Sequence, residues 1–155
     1  MARSVRLSPS EAWERLARAH TGILTTLRRD GAPISLPVWF VVLDRRVYVS
    51  GPATTKKLAR LRNDDRVAFL IESGEAWAEL VGVHLTGTAH EIDDPALLDR
   101  VRAALDAKYA AFRTDRDAMP EPTRDHYETA TATIEVVPDE RMLTWDNARL
   151  FEAEA

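Results

Sequence analysis

The sequence predicts a mainly β protein, an antiparallel sheet with flanking helices, and three observations carry that prediction. Six segments have strand-like apolar patterning, from Ile23–Leu27 to Thr131–Val137. Consecutive strands are joined by tight turns such as Asp30-Gly31 and Asp44–Arg46, which favours antiparallel pairing. Strict strand–helix alternation, a GxGxxG run and a P-loop are all missing from the sequence, so a doubly wound nucleotide-binding fold has no support. Hydrophobic residues make up 45% of the 155 residues and charged residues 30%, the balance of an ordinary folded domain rather than a disordered chain.

The elements follow in order. Ser8 and Glu11 have the S-x-x-E spacing of a capping box, with Pro9 at the first helical position. Ala12, Leu16 and Ala19 then recur at helical spacing. The helix should end near His20–Gly22, where glycine can turn left-handed. Ile23–Leu27 is a short strand, and Ile34–Leu43 a longer one, apolar on both faces from Val38 onward. Pro37 has no amide hydrogen to donate, so an edge or a bulge is expected there. Val47–Ser50 is the third strand, closed by Gly51-Pro52, and Thr54–Asn63 a short helix with Leu58 and Leu61 inward. Val67–Glu72 is the fourth strand and Ala78–Ile92 a long fifth, in which Gly82 and Gly87 mark a bend, a bulge or a close approach. Asp94-Pro95 opens the longest helix, Pro95–Arg113, with Leu98, Val101, Leu105, Tyr109 and Phe112 as its apolar face. The polar loop Arg113–Arg124 leads to the last strand, Thr131–Val137, ended by Pro138.

Composition removes several function classes. The net charge of −4 and the lack of any long Lys/Arg block disfavour a protein that holds nucleic acid through its phosphates. With no cysteine there are no disulfides, thiolate metal sites or cysteine nucleophiles, which fits a cytoplasmic location. No apolar run approaches the roughly 20 residues that span a bilayer, and the first twenty residues lack the apolar core of a signal peptide, so no membrane association is expected. His20, His84, His90 and His126 have no metal-ligating spacing, and no metal site is expected. Ser50 and Ser73 lack a His/Asp pattern that would make them nucleophiles. No side chain is singled out as catalytic.

The segment richest in chemistry is V-Y-V-S-G-P-A-T-T-K-K-L-A-R-L-R-N-D-D-R-V, residues 47–67. A strand runs through a Gly-Pro turn into two threonines at a helix start, followed by two lysines. Free amides and the positive end of the helix dipole make such a start a natural phosphate site. Hydroxyl and ammonium groups there add donors and countercharge. The same composition also suits a capped surface helix with solvated lysines.

At this segment, T-T-K-K-L-A-R-L-R-N-D-D-R-V-A-F is similar to the S-R-K-x-x-x-L-x-x-N-P-x-x-A-x-x-F stretch of the FMN-binding split β-barrel family, the group of pyridoxamine 5'-phosphate oxidase. Three further segments, in the family's order, carry the resemblance: D-G-A-P-I-S-L-P-V-W-F, L-T-G-T-A-H-E-I and I-E-V-V-P-D-E-R-M-L-T-W-D. Together they cover most of residues 20–147 and imply a six- to seven-stranded antiparallel split barrel. A single domain over residues 1–155 is then expected, with a helical segment at 1–21, a barrel with inserted helices at 22–147 and a frayed tail at 148–155.

The resemblance also implies roles for particular residues. Thr54, Thr55, Lys56 and Lys57 would hold the phosphate of coenzyme F-420 or FMN. Val49 and Ser50 would run beside its ribityl chain, and Pro37, Val38 and Trp39 along its tricyclic ring. Trp145 would close the pocket from the partner subunit of a homodimer with its cofactor sites at the interface. Lys56, Lys57, Arg60 and Arg62 would supply a basic rim, with a solvated helix face as the other reading of Arg60 and Arg62, and the loops Ser73–Trp77 and Arg113–Arg124 would line the pocket. The sequence departs from the oxidase members, which place an Arg and a Lys where Ser35 and Phe40 stand and which carry a C-terminal R-x-H-x-R motif missing here. The P-V-W-F form looks more like the small reductase branch, where coenzyme F-420 is frequent. The implied function is a cofactor-dependent oxidoreductase that moves hydride to a small organic substrate. The alternative is a non-catalytic carrier of a flavin, deazaflavin or haem-type molecule.

Overall fold

A computed structural model describes residues 4–152. Ser8 opens α1 (Pro9–Arg18) through a reciprocal cap: its hydroxyl accepts from the Glu11 amide, and the Glu11 carboxylate accepts from the Ser8 amide at 2.7 Å. These bonds from Ser8, with Arg149 beside them, lower the Glu11 pKa to about 2. The helix stops one turn before Gly22, with Ala19 extended. Gly22 instead opens the first strand, where a Cβ would lie 2.1 Å from the buried Phe69 ring; its role is close approach, not a left-handed stop.

Seven strands follow: β1 (Gly22–Leu27), β2 (Pro33–Val38), β3 (Val41–Leu43), β4 (Arg46–Pro52), β5 (Arg66–Ser73), β6 (Val81–Glu91) and β7 (Thr131–Asp146). They form one sheet in the order β2-β1-β5-β6-β7-β4-β3, with every pairing antiparallel. The helices α2 (Lys56–Asn63), α3 (Pro95–Tyr109) and α4 (Glu121–Tyr127) are inserted between strands. The segment expected as one strand, Ile34–Leu43, is two. Trp39 and Phe40 leave the ladder, and the halves on either side become the two edge strands of the sheet. Because only two residues join those edges, the sheet has to curl back on itself, and a split barrel results. Pro37 accordingly lies on an edge strand, where its missing donor costs nothing.

The expected hairpins form. Gly31 has a φ of 84°, and Asp44 and Arg45 have φ values of 51° and 57°, as a two-residue turn between β3 and β4 requires. The last strand does not stop at Pro138. Pro138 pairs with Gly87, and the register resumes only at Met142 opposite Leu85, so residues 139–141 form a bulge that carries the chain past the proline. The core fills the curl. Leu24, Phe40, Val47, Val49, Phe69, Val83, Leu85 and Val136 meet Leu16 of α1 and Leu58 and Leu61 of α2. A second cluster packs Val101, Leu105 and Tyr109 of α3 on Val41 and Tyr48. Two members of the expected α3 face depart from it: Leu98 is half-buried, and Phe112, in a 3-10 turn beyond the helix, is exposed. At the C-terminus, Asn147–Leu150 form a 3-10 turn in which Arg149 bonds to Glu11 and to the Arg6 carbonyl; the rest of the expected tail, residues 153–155, lies outside the described residues. Among the described residues no helix is long and apolar enough to cross a membrane.

Candidate functional site

A groove of about 840 Å³ opens where β4, the β2–β3 break, the start of α2 and the segment after α3 converge. Pro37, Val38 and Trp39 form one wall, and Val49, Ser50 and Gly51 of β4 form another. The break creates the first wall because Phe40 turns fully into the barrel, edge-on to Phe69 with ring centroids 4.8 Å apart. Trp39, its neighbour, is thereby turned outward. Alternation along β4 buries Val49, while the Ser50 hydroxyl sits 2.7 Å from that of Thr133 on β7.

Lys57 reaches this groove from the first turn of α2. It is half-buried, and its ammonium lies 3.9 Å from where a Cβ on Gly51 would stand. It has no hydrogen-bond or ion-pair partner among the described residues, and no Asp or Glu lines the groove. Burial, and secondarily Arg60, push its pKa below the usual lysine value. An ammonium desolvated without a counterion is held at a cost that an anion in the groove would remove. The α2 start adds donors: the Thr55 side chain makes no capping bond, and the amides of Lys56, Lys57 and Leu58 find no acceptor among the described residues.

Six of the ten residues expected at the site line one groove: Pro37, Val38, Trp39, Val49, Ser50 and Lys57. Thr54, Thr55 and Lys56 sit beside it without lining it, and Lys56 is exposed. Trp145 lies at the far end of β7 from Thr131, with its ring against Gly82, away from the groove of its own chain. Arg60 and Arg62, for which the sequence leaves a basic rim and a solvated helix face both open, do not line the groove. The Arg60 Nε donates to Thr26 Oγ1 at 2.7 Å, and Arg62 pairs with Glu91 at 3.1 Å. Ser35, one of the two departures from the oxidase pattern, bonds to Thr25 on the paired strand.

The other wall comes from the chain after α3, with Phe112, Arg113, Arg116 and Met119, and from Tyr127 of α4. The loop Arg113–Arg124 therefore contributes as expected, whereas Ser73–Trp77 does not. Phe112 had a visible signal, its place on the α3 periodicity, but the sequence could not tell a core contact from a groove wall. Arg113 is tied to Asp106 at 2.7 Å.

Behind Trp39, Lys108 of α3 donates to the Phe40 carbonyl at 2.9 Å and stands 4.0 Å over the Phe40 ring. Burial lowers its pKa to about 8 from 10.5. Between those values the unfolded chain holds a proton that the folded chain has released, so stability rises with pH across the window and is flat on either side. Urea midpoints measured below pH 8 and near pH 10 should show this rise in the wild type and a smaller one in Lys108→Met, about 10 being inside the window. Equal pH dependence in both would refute it.

The fold is an antiparallel split barrel, and its groove is apolar along Pro37, Val38 and Trp39 and cationic at the start of α2, a composition that suits an anionic group. The sequence profile of pyridoxamine 5'-phosphate oxidase matches residues 9–140, and the chain belongs to that family. A search of the curated proteins finds no match. Among solved structures, the conserved hypothetical protein Rv2991 from Mycobacterium tuberculosis is similar at 27% identity and a TM-score of 0.81, covering 100% of this chain and 94% of that one. The FAD binding protein from Mycobacterium smegmatis is similar at 22% identity and a TM-score of 0.63, covering 89% and 94%. HutZ, the heme storage protein from Vibrio cholerae, is similar at 13% identity and a TM-score of 0.67, covering 88% and 94%. The last two likenesses bear on fold alone.

Proposed function

We propose that the groove binds a flavin-type cofactor, FMN or coenzyme F-420, and that the protein is an oxidoreductase acting on a small organic substrate. The observation that carries this is Lys57: among the described residues it is a half-buried ammonium without a partner, beside unpaired amides of a helix start, in a groove lined by no carboxylate. Lys57 and the α2 amides would hold the phosphate, with Thr54, Thr55 and Lys56 at its edge. Val49 and Ser50 would flank the linking chain. Pro37, Val38 and Trp39 would lie along the ring and exclude water from it. The cofactor, when bound, supplies the hydride chemistry, which accounts for a groove without an obvious acid–base pair. Family membership supports this reading, as do barrels of the same fold described as FAD binding. In the same reading the chain works as a homodimer in the cytoplasm, and Trp145 of one subunit closes the groove of the other.

The test is to incubate purified protein with FMN or coenzyme F-420, desalt it and record the absorption spectrum. A retained cofactor band is expected, followed by turnover with a panel of electron acceptors. A retained band with no turnover across the panel would favour the carrier reading, for which haem-binding barrels of this fold provide the parallel. Retention of neither cofactor at tens of micromolar protein would defeat both the cofactor assignment and the enzyme.

A further inference from the structure

The backbone of Trp39 and Phe40 lies outside the sheet ladder, so β2 and β3 do not hold it. Its support comes from α3. The Tyr109 hydroxyl accepts from the Phe40 amide at 2.9 Å and lies 2.7 Å from the His20 carbonyl and 2.9 Å from the Phe40 carbonyl. The hydroxyl has one proton to share between those two carbonyls, and the Phe40 carbonyl also accepts from Lys108. The Tyr109 ring stacks on Trp39 with centroids 4.4 Å apart and planes 2° from parallel. Tyr109 is fully buried and does not line the groove, whereas Trp39 keeps 38% of its surface exposed there. One face of the indole is thus backed by a fixed ring, the His20 ring stands edge-on to it with centroids 6.0 Å apart, and its exposed part faces the groove.

We infer that Tyr109 is a positioning residue of the groove: its hydroxyl fixes the Phe40 peptide and its ring fixes the plane of Trp39, and together they set the wall against which a planar ligand lies. The effect on affinity rests on the flavin-type reading above, while the ordering of the wall does not. The two functions of the side chain are separable. Tyr109→Phe removes the hydroxyl and keeps the stack, and Tyr109→Leu removes both.

The full chain is labelled with 5-fluorotryptophan, and the Trp39 signal among the four tryptophans is assigned with Trp39→Phe. In Tyr109→Phe the Trp39 fluorine resonance should shift or broaden while those of Trp13, Trp77 and Trp145 stay in place. Affinity for FMN or coenzyme F-420 should fall about fivefold, the worth of one neutral hydrogen bond. Tyr109→Leu should lower it further. Lys108→Met, which removes one donor from the Phe40 carbonyl and leaves both stacked rings in the chain, should move the same resonance and serves if Tyr109→Leu does not fold. Lys57→Ala should lower affinity and leave the Trp39 resonance unmoved. An unmoved Trp39 resonance in Tyr109→Phe and Lys108→Met would overturn the inference, as would a moved resonance with unchanged affinity. If the wild type binds neither cofactor, the flavin-type reading falls, and the resonance alone decides whether Tyr109 orders the wall.

Discussion

Lys57→Ala is expected to weaken binding of FMN or coenzyme F-420 by about 10- to 100-fold, the range of a charge-assisted hydrogen bond worth roughly 1.5–3 kcal/mol. The same change should not lower the melting temperature of the free protein. Its ammonium is half-buried, has no partner among the described residues and is held below its usual pKa by that burial, so its removal relieves a cost instead of losing a contact. Lys56→Ala is the control: Lys56 is exposed and does not line the groove, and its loss should change affinity by about twofold or less. Cofactor fluorescence titrations on the three proteins, with melting curves beside them, decide the matter. Equal affinity in wild type and Lys57→Ala would mean that the α2 start is an ordinary surface helix with solvated lysines. Alkaline titration gives a second readout. The bound anion needs the charged ammonium, so affinity should fall with rising pH, beginning below the pH at which an ordinary lysine loses its proton.

Gly87→Ala should be far more destabilising than Gly31→Ala. A Cβ at Gly87 would lie 2.2 Å from the Val137 carbonyl oxygen and 2.9 Å from the Pro138 Cα, both of them backbone. No side chain can swing aside, so the β6–β7 pair must move at the point where the bulge of residues 139–141 begins. A cost of about 3 kcal/mol is expected, which for a chain of this size lowers the melting temperature by roughly 6–12 °C. Gly31→Ala is the contrast. Nothing lies within 4 Å of its Cβ position, so only the left-handed φ of 84° is strained, at about 1 kcal/mol. A Gly87→Ala protein that melts with the wild type would mean that the bulge is loose and that Pro138 interrupts the strand, as its sequence suggests.

Local signals in the chain proved sufficient wherever the deciding contact lay within a few residues. Ser8 and Glu11 cap one another, Asp30-Gly31 turns a hairpin, and Leu58 and Leu61 share the inward face of α2; in each case both partners fall within one turn of helix or chain. Lys57 was legible as a cation at a helix start for the same reason, since the helix start and the charge are adjacent in sequence. Other features depended on residues far along the chain. Arg60 and Arg62 are held off the groove by Thr26 and Glu91, and the arginines that line it are Arg113 and Arg116. Pro138 fails to stop β7 because Gly87 makes room opposite it.

The sequence by itself determined most of the element order, the antiparallel class, the family and the cationic helix start, because periodicity, turn chemistry and charge act over short stretches of chain. Only the tertiary structure decided where the strand expected at Ile34–Leu43 breaks and what the break becomes. The peptide at Trp39–Phe40 gives up the ladder because Tyr109 and Lys108, some seventy residues later (about 69 and 68 positions), satisfy its polar groups. A buried backbone group takes whichever partner the fold brings to it, and no local pattern records that partner.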